Sequence, residues 1–210
     1  MQGVWSVVVA GGSGDRFGRP KQFAMLAGRP VVEWSVEACR ACSEGVVVVL
    51  PPGATDRSFG ADRAVAGGRT RSDSVRRGLA AVPTEASVIV VHDAARPLAP
   101  SGLFGAVLGA LADREAAGAI CALPVADTIK RVGGDPARVL ATVDRGDLVA
   151  VQTPQAFRAG LEFRDQSTDR AAFPIAPAAP VRQPRRIFEI RQSSGRHSGK
   201  AVTVPLVDFD

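Results

Sequence analysis

The 210-residue sequence predicts an α/β fold in which a mainly parallel sheet carries an inserted β-arm. Three continuous valine-rich runs, at residues 7–9, 46–50 and 88–91, are typical of strands buried on both faces. Segments with helical apolar spacing separate these runs, and this alternation builds parallel βαβ units. After residue 124 the pattern changes to alternating polar and apolar residues, which indicates a hairpin.

The first buried run is followed by a loop with four glycines and three cations between residues 11 and 21. Glycine lets backbone N–H groups turn toward an anion without a Cβ in the way, while arginine supplies a two-pronged donor and lysine a point charge. The loop is not a Walker A motif, because Gly18 is followed by Arg19 and Pro20. A dinucleotide fingerprint fits weakly, since its third glycine position holds Phe17. The loop therefore predicts contacts to the triphosphate of a nucleotide.

The next two elements complete a βαβ opening. Pro30 is placed to begin a helix whose apolar residues fit packing on a sheet, and residues 45–50 follow as a buried strand that ends at two prolines. The helix carries Cys39 and Cys42 in a C-x-x-C spacing. Because the chain has three cysteines and no second pair to complete a zinc site, these are expected to be structural thiols.

A second glycine loop, residues 67–75, leads into an alanine-rich helix. Its glycine pair, Arg71 and Ser74 stand close to the predicted helix N-terminus, where an anion or the ribose and base of a nucleotide can be held. The plainer alternative is an ordinary capped helix with Ser72 or Asp73 as the N-cap. Both interpretations are open from the residues alone.

The third polar segment, residues 92–97, follows the buried run 88–91 directly. Ligands of open parallel sheets bind beyond the carboxyl ends of the strands, which is where this segment falls. Asp93 is suited to hydroxyl groups or Mg²⁺, and Arg96 to a phosphate. The alternative is an Asp–Arg pair that only fixes the loop. His92 is expected to be a structural histidine.

Beyond this segment the chain predicts one more helix, one more strand and the β-arm. Ser101 is placed to cap a helix that runs to Leu111, and residues 118–124 indicate a strand. The arm, residues 125–147, is predicted as a hairpin with its turn at residues 133–136. A hairpin with so little core of its own needs another surface to cover it.

The polar segments together resemble a known family. The matching motifs are Ala-Gly-Gly-Ser-Gly-x-Arg followed by Pro-Lys-Gln-Phe, Gly-Gly-x-x-Arg-x-x-Ser-Val, His-Asp-Ala-Ala-Arg-Pro and Gln-Thr-Pro-Gln, at residues 10–23, 67–75, 92–97 and 152–155. They are similar to the motifs of the cytidylyltransferases that act on 2-C-methyl-D-erythritol 4-phosphate in the non-mevalonate isoprenoid pathway. The resemblance implies a Rossmann-like sheet and transfer of CMP from CTP, giving 4-diphosphocytidyl-2-C-methyl-D-erythritol and pyrophosphate.

The same resemblance implies roles for individual residues. Arg16 and Lys21 would be catalytic. The polyol phosphate would be positioned by Asp93, Arg96, Thr128, Arg145, Thr153 and Lys200. The nucleotide would be bound by Ala10, Gly11, Gly12, Ser13, Gly14, Gly68, Arg71, Ser74 and Ala94. Mg²⁺ or another divalent cation is expected as cofactor, with its ligands left open, and the arm is expected to join a homodimer and reach the partner's active site.

The resemblance is strong over residues 4–157 and weak beyond them. Four prolines between residues 174 and 184 exclude the helices that the family has there, so residues 158–210 are expected to form an atypical tail. Lys200 stands in a distorted form of the closing motif. With 46% apolar residues, residues 1–210 are expected to form a single nucleotidyltransferase domain.

Alternative functions are a ribitol-5-phosphate cytidylyltransferase and a non-catalytic nucleotide-binding relic. The net charge of +5 suits an acidic substrate and would also suit nucleic acid, but aromatic residues make up only 5% of the chain and tyrosine is absent. No nucleic-acid partner is therefore expected. No apolar run reaches the length of a membrane span and no basic leader precedes the first strand, so we expect no membrane contact and a cytoplasmic location.

Overall fold

The computed structural model describes residues 2–14, 17–112, 116–159 and 186–191. In chain order its elements are β1 (Val4–Val9), a 3-10 turn (Lys21–Phe23), β2 (Met25–Leu26), β3 (Arg29–Pro30), α1 (Val31–Arg40), β4 (Gly45–Leu50), β5 (Arg63–Ala66), α2 (Arg71–Ala80), β6 (Val88–Asp93), α3 (Ser101–Ala110), β7 (Ala116–Pro124), β8 (Ile129–Gly133), β9 (Arg138–Val143), β10 (Val149–Arg158) and β11 (Arg186–Arg191).

A seven-stranded sheet in the order β11-β7-β10-β6-β1-β4-β5 forms the centre of the fold. The valine-rich strands β1, β4 and β6 pair in parallel, and β5 extends them in parallel at one edge. On the other side β10 runs antiparallel to both β6 and β7, and β11 runs antiparallel to β7. The prediction of a mainly parallel α/β sheet is confirmed.

Both faces of the sheet are buried, which explains the continuous apolar runs. On one face Val8 and Val48 belong to a core cluster with the apolar residues of α1 and α3. On the other face Val7 and Val49 pack with the apolar side of α2. Every residue of β4 is buried, and a fully buried valine contributes about 1.5–3 kcal/mol of hydrophobic stabilisation. Along the described residues, no helix is long and apolar enough to cross a membrane.

The helix starts differ from the sequence expectation. The N-cap of α2 is Thr70, whose Oγ1 accepts from the Asp73 N–H at 3.0 Å while an Asp73 carboxylate oxygen accepts from the Thr70 N–H at 3.2 Å. The prediction of Ser72 or Asp73 as N-cap is wrong, because this reciprocal capping box needs its acidic residue three positions after the cap. Ser101 is the first residue of α3 and makes no capping bond, since Pro100 holds the N-cap position.

The predicted arm is present as a hairpin of β8 and β9 that forms a sheet separate from the central one. Three of its apolar side chains are more than half exposed: Val132 at 57%, Val139 at 63% and Leu140 at 65%. Within the expected tail, the described strand β11 adds to the edge of the central sheet next to β7.

Candidate functional site

Three polar loops meet at the carboxyl edge of the parallel strands. The first follows β1, the second joins β5 to α2, and the third follows β6. The first two are in close contact, because a Cβ built on Gly67 would lie 3.3 Å from the Cα of Gly11. The N–H of Ala94 in the third loop donates to the carbonyl of Val9 at the end of β1, at 3.0 Å. The topology therefore brings together the loops for which ligand binding was predicted.

The first glycine loop is tightly folded. Gly14 has a φ of +78°, and a Cβ built on it would lie 2.0 Å from the carbonyl oxygen of Arg19. The same turn is closed by the Phe17 N–H, which donates to the Gly14 carbonyl at 2.8 Å. Gly12, by contrast, is exposed, and a Cβ built there would meet no atom within 4 Å. Position 14 requires glycine for the fold of the loop, while position 12 leaves its surface open to a ligand.

Lys21 lies at the start of the 3-10 turn and is exposed. Its Nζ is 5.0 Å from the ring centroid of Phe17, and the guanidinium carbon of Arg19 is 5.6 Å from the same ring. Two cations therefore lie over one aromatic ring beside the glycine loop, an arrangement that the ring's quadrupole favours. The other predicted catalytic residue, Arg16, lies outside the described residues, as does Lys200.

Side chains of α2 stabilise the second loop through hydrogen bonds to its main chain. The Ser74 hydroxyl accepts from the Gly68 N–H at 3.1 Å and donates to the Thr70 carbonyl at 3.0 Å, and the side chain is 3% exposed. Arg77, which the sequence interpretation missed, donates to the Gly67 carbonyl at 2.8 Å. Ser74 thus stabilises the conformation of the loop that contains Gly68, and its direct contact to a nucleotide stays a prediction.

The predicted nucleotide residues at the strand ends are built into the sheet. Ala10 and Ala94 are 3% and 1% exposed, and their N–H groups donate to Val49 and Val9. The Ala94 carbonyl accepts from the buried Ser35 hydroxyl at 2.9 Å. These two alanines fix where the loops leave the sheet, and their contact to a nucleotide stays a prediction.

The centre of the site is a cluster of Arg71, Asp93 and Arg96. Arg71 donates twice to one Asp93 oxygen, from Nε at 3.0 Å and from Nη2 at 2.9 Å. The Nε of Arg96 lies 3.6 Å from the other oxygen, so two guanidinium groups share one carboxylate and the cluster carries a net positive charge. Half-exposed ion pairs of this kind are each worth about 1 kcal/mol or less, so an anionic ligand can replace the carboxylate at little cost.

Strand β10 supplies two more members of this cluster. Arg96 donates to the side-chain oxygen of Gln152, and the Asp93 N–H donates to the Thr153 hydroxyl at 3.2 Å. The sequence interpretation selected Thr153 and missed Gln152, although Gln152 precedes it directly in the Gln-Thr-Pro-Gln motif. A cavity of about 300 Å³ lies beside Arg96, Gln152 and Thr153 and is otherwise lined mostly by apolar side chains of α3, β7 and the loop after β6.

The two predicted ligands on the arm lie apart from this cluster along the chain. Thr128 is exposed just before β8, and Arg145 is exposed just after β9. Arg145 donates to the Ala126 carbonyl at the base of the arm. Their part in holding a substrate stays a prediction.

His92 is completely buried under the third loop. Its Nε2 lies 3.2 Å from the Arg96 carbonyl, its ring is 5.1 Å from that of Phe104, and its Nδ1 has no hydrogen-bond partner among the described residues. Burial lowers the pKa of His92 to about 4. The side chain is therefore neutral at neutral pH and donates from Nε2 to the loop, in the structural role expected for it.

The buried His92 makes the folding stability depend on pH. The folded pKa lies below the unfolded value of 6.5, so this contribution is complete above pH 6.5 and is lost as the pH falls toward 4. We expect this group to lower the free energy of unfolding by about 2 kcal/mol between pH 7.5 and pH 5. Urea unfolding at both pH values should show that the His92→Gln variant loses less unfolding free energy than the wild type does. Equal losses in the two proteins would contradict the assignment.

The described part of the chain offers few side chains that could bind a divalent cation. There, no three His, Cys, Asp or Glu side chains lie close enough to hold a metal ion. Asp93 is the carboxylate of the cluster, and both its oxygens face guanidinium groups. Magnesium commonly binds through one or two carboxylates together with substrate phosphates. The residues therefore fit a cation that is held mainly by the phosphates of a bound nucleotide.

A model of one protein family matches most of the chain. Its description is IspD: 2-C-methyl-D-erythritol 4-phosphate cytidylyltransferase, and it matches residues 4–180. Among curated proteins, the bifunctional enzyme IspD/IspF of Anaeromyxobacter dehalogenans is 44% identical over 198 residues, which are 85% of this chain and 50% of that protein. The 2-C-methyl-D-erythritol 4-phosphate cytidylyltransferase of Rubrobacter xylanophilus is 42% identical over 98% of this chain and 91% of that protein.

Solved structures agree with these relatives. The cytidylyltransferase of the same description from Thermus thermophilus is 36% identical with a TM-score of 0.56, covering 72% of this chain and 69% of that one. The 4-diphosphocytidyl-2C-methyl-D-erythritol synthase of Anaerococcus prevotii is 27% identical with a TM-score of 0.61, covering 74% and 70%. The chain spans about half the length of several of the curated relatives it matches.

Proposed function

The chain belongs to the family of 2-C-methyl-D-erythritol 4-phosphate cytidylyltransferases, and on this premise we propose that it transfers CMP from CTP to 2-C-methyl-D-erythritol 4-phosphate. The products are 4-diphosphocytidyl-2-C-methyl-D-erythritol and pyrophosphate, and the step belongs to isoprenoid precursor biosynthesis. The observation that carries the proposal is the meeting of two glycine loops with Lys21 and the cluster of Arg71, Asp93 and Arg96 at one edge of the sheet.

The reaction needs charge stabilisation more than proton transfer. A phosphate oxygen of the polyol phosphate forms a bond to the α-phosphorus of CTP, and the bond from that phosphorus to the β-phosphate oxygen breaks. Because the attacking phosphate is already an anion near neutral pH, no general base is required. The barrier comes from bringing two polyanions together and from charge on the departing pyrophosphate, and preorganised cations lower it.

The residues divide between the two substrates. The glycine loop and the loop around Gly68 would hold CTP, with Lys21 placed at the phosphates. Arg96 would meet the phosphate of the polyol, and Asp93 would accept from its hydroxyl groups. Asp93 also holds Arg71 and Arg96 before substrate binds.

We propose that magnesium enters with CTP as its metal complex. The phosphate oxygens would supply most of the ligands, and among the described residues Asp93 would be the carboxylate that can join them. When bound, the cation neutralises phosphate charge and makes the α-phosphorus easier to attack.

We also propose a homodimer formed through the arm. Val132, Val139 and Leu140 are each more than half exposed on a hairpin that has little core of its own, and a second copy of the chain would cover apolar side chains of this kind. In such a dimer Arg145 and Thr128 would serve the partner's site. A cytoplasmic location is part of the same proposal.

Mixed dimers test whether Arg145 serves the partner. Lys21→Met and Arg145→Met should each be nearly inactive, and co-expression of both chains should restore about a quarter of the wild-type activity, because half of the dimers then contain one intact site. In the control pair Lys21→Met with Arg96→Met, both residues serve their own subunit's site, so each site of a mixed dimer carries one change and no activity should be restored. Failure of the first pair to recover would exclude a shared site.

The proposed reaction is tested by pyrophosphate release from purified protein with Mg²⁺ and CTP. Three mixtures are compared, containing methylerythritol phosphate, ribitol 5-phosphate or no acceptor. We expect release with methylerythritol phosphate and little without acceptor. Release with ribitol 5-phosphate instead would reassign the substrate, and CTP binding without any release would identify a non-catalytic relic.

A further inference from the structure

Gln22 is a buried polar residue in an otherwise exposed segment. Its neighbours Pro20 and Lys21 are exposed, whereas Gln22 is 6% exposed. Its Nε2 donates to the carbonyl of Gly12 in the glycine loop at 2.9 Å. This bond joins the loop that follows β1 to the 3-10 turn that carries Lys21, across ten residues of chain.

The opposite side of the 3-10 turn is attached to the core. Phe23 packs against the cluster beneath α1, and its ring lies 5.6 Å from that of the buried Phe59. The turn itself is closed by the Ala24 N–H, which donates to the Lys21 carbonyl at 3.0 Å. The two residues that follow Lys21 are therefore both fixed, Gln22 by the glycine loop and Phe23 by the core.

The bond from Gln22 also sets the glycine loop itself. A peptide group is planar, so fixing the direction of the Gly12 carbonyl fixes the direction of the N–H that follows it. A buried amide donor that loses its acceptor costs about 1–3 kcal/mol, so the bond is not easily exchanged for another arrangement. One side chain thus determines both the plane of a peptide in the loop and the distance of the loop from Lys21.

We propose that Gln22 is a positioning residue that holds Lys21 and the glycine loop in one geometry around the CTP phosphates. It touches no substrate and acts through Lys21. This inference rests on the proposed function, because it assigns the pair of elements to triphosphate binding and to the charge that develops in the transfer.

The test is the Gln22→Met variant, which keeps the length of the side chain and removes the donor. We expect kcat to fall about tenfold while KM for methylerythritol phosphate is unchanged, because a displaced Lys21 weakens transition-state stabilisation. In a Lys21→Met background the same change should lower kcat by no more than about twofold, since the residue through which Gln22 acts is already absent.

Trp34→Phe is the matched control. The Trp34 Nε1 donates to the Leu26 carbonyl at 2.9 Å, so this change also removes one donor to a main-chain carbonyl, but away from the glycine loop. Trp34→Phe should lower Tm about as much as Gln22→Met does, and it should leave kcat unchanged. An equal fall of kcat in the control, an equal effect of Gln22→Met with and without Lys21, or a fall in Tm with unchanged kcat would overturn the proposal.

CTP binding can be measured even if the proposed function is wrong, so it tests the role of Gln22 separately. If the wild-type protein releases no pyrophosphate with any acceptor, the proposed function fails, and calorimetric titration with CTP and Mg²⁺ still tests Gln22. Weaker CTP binding in Gln22→Met, with no further weakening in the double variant relative to Lys21→Met, supports the positioning role. Equal CTP binding in wild type and Gln22→Met contradicts it.

Discussion

Replacing Lys21 by methionine is expected to lower kcat about 10²–10³-fold, the usual cost of losing one preorganised electrostatic donor. Lys21 is exposed beside the glycine loop, with its ammonium group over the ring of Phe17. A cation–π contact at an exposed site is worth about 0.5–1 kcal/mol, so the protein loses little stability when the charge is removed. The measurement is steady-state pyrophosphate release together with thermal unfolding, and Tm should stay close to the wild-type value.

Arg57→Met is the control for this change. The guanidinium carbon of Arg57 lies 4.4 Å from the ring centroid of Phe59, so the variant also removes a cation from an aromatic face, but outside the three loops. Its kcat should equal that of the wild type. A Lys21→Met variant with near-normal kcat would show that Lys21 has no part in the chemistry.

Replacing Gly14 by alanine should abolish measurable CTP binding while the protein stays folded. The φ of +78° costs a residue with a Cβ about 1–2 kcal/mol, and the new Cβ would lie 2.0 Å from the Arg19 carbonyl oxygen, which is main chain and cannot move aside alone. The turn between Gly14 and Arg19 must therefore open, which displaces the glycine loop. Calorimetric titration with CTP checks binding, and thermal unfolding should show an intact core.

Gly18→Ala tests whether a positive φ alone, without a steric clash of the new Cβ, is enough to prevent CTP binding. Gly18 has a similar φ of +74°, but a Cβ built on it would meet no atom within 4 Å. This variant should bind CTP with a Kd within a few-fold of the wild-type value. If Gly14→Ala binds CTP as well as Gly18→Ala does, the loop does not hold the triphosphate in the conformation described.

Most of the central sheet could be predicted from local patterns. Continuous valine runs mark β1, β4 and β6 because strands covered on both faces have no polar side. The helix N-cap was missed, because Thr70, Ser72 and Asp73 are all good capping residues and only the reciprocal bond to Asp73 selects Thr70. Strand β11 was missed because its proline-rich surroundings gave no periodic signal, and its pairing with β7 depends on a strand far away along the chain.

The sequence predicts a site made of three loops. In the structure some of their residues form a charged cluster, and others stabilise the main chain of the loops. Asp93, Arg71 and Arg96 meet in one cluster, whereas Ser74, Ala10 and Ala94 are used inside the protein to shape the loops. A motif shows which residue types occur together. It does not separate a serine that binds a ligand from one that binds its own main chain, because both need the same hydroxyl group.

The sequence by itself determined the parallel sheet, the glycine loops and the edge at which they meet, because strand burial, glycine spacing and chain order are properties of short segments. The tertiary structure alone decided that Gln22 bonds to Gly12, that Gln152 holds Arg96, and that one carboxylate serves two arginines. The bonds of Gln22 to Gly12, Arg71 to Asp93 and Arg96 to Gln152 join residues ten to 56 positions apart, and their formation depends on the distance and direction between folded elements. No local pattern contains that information.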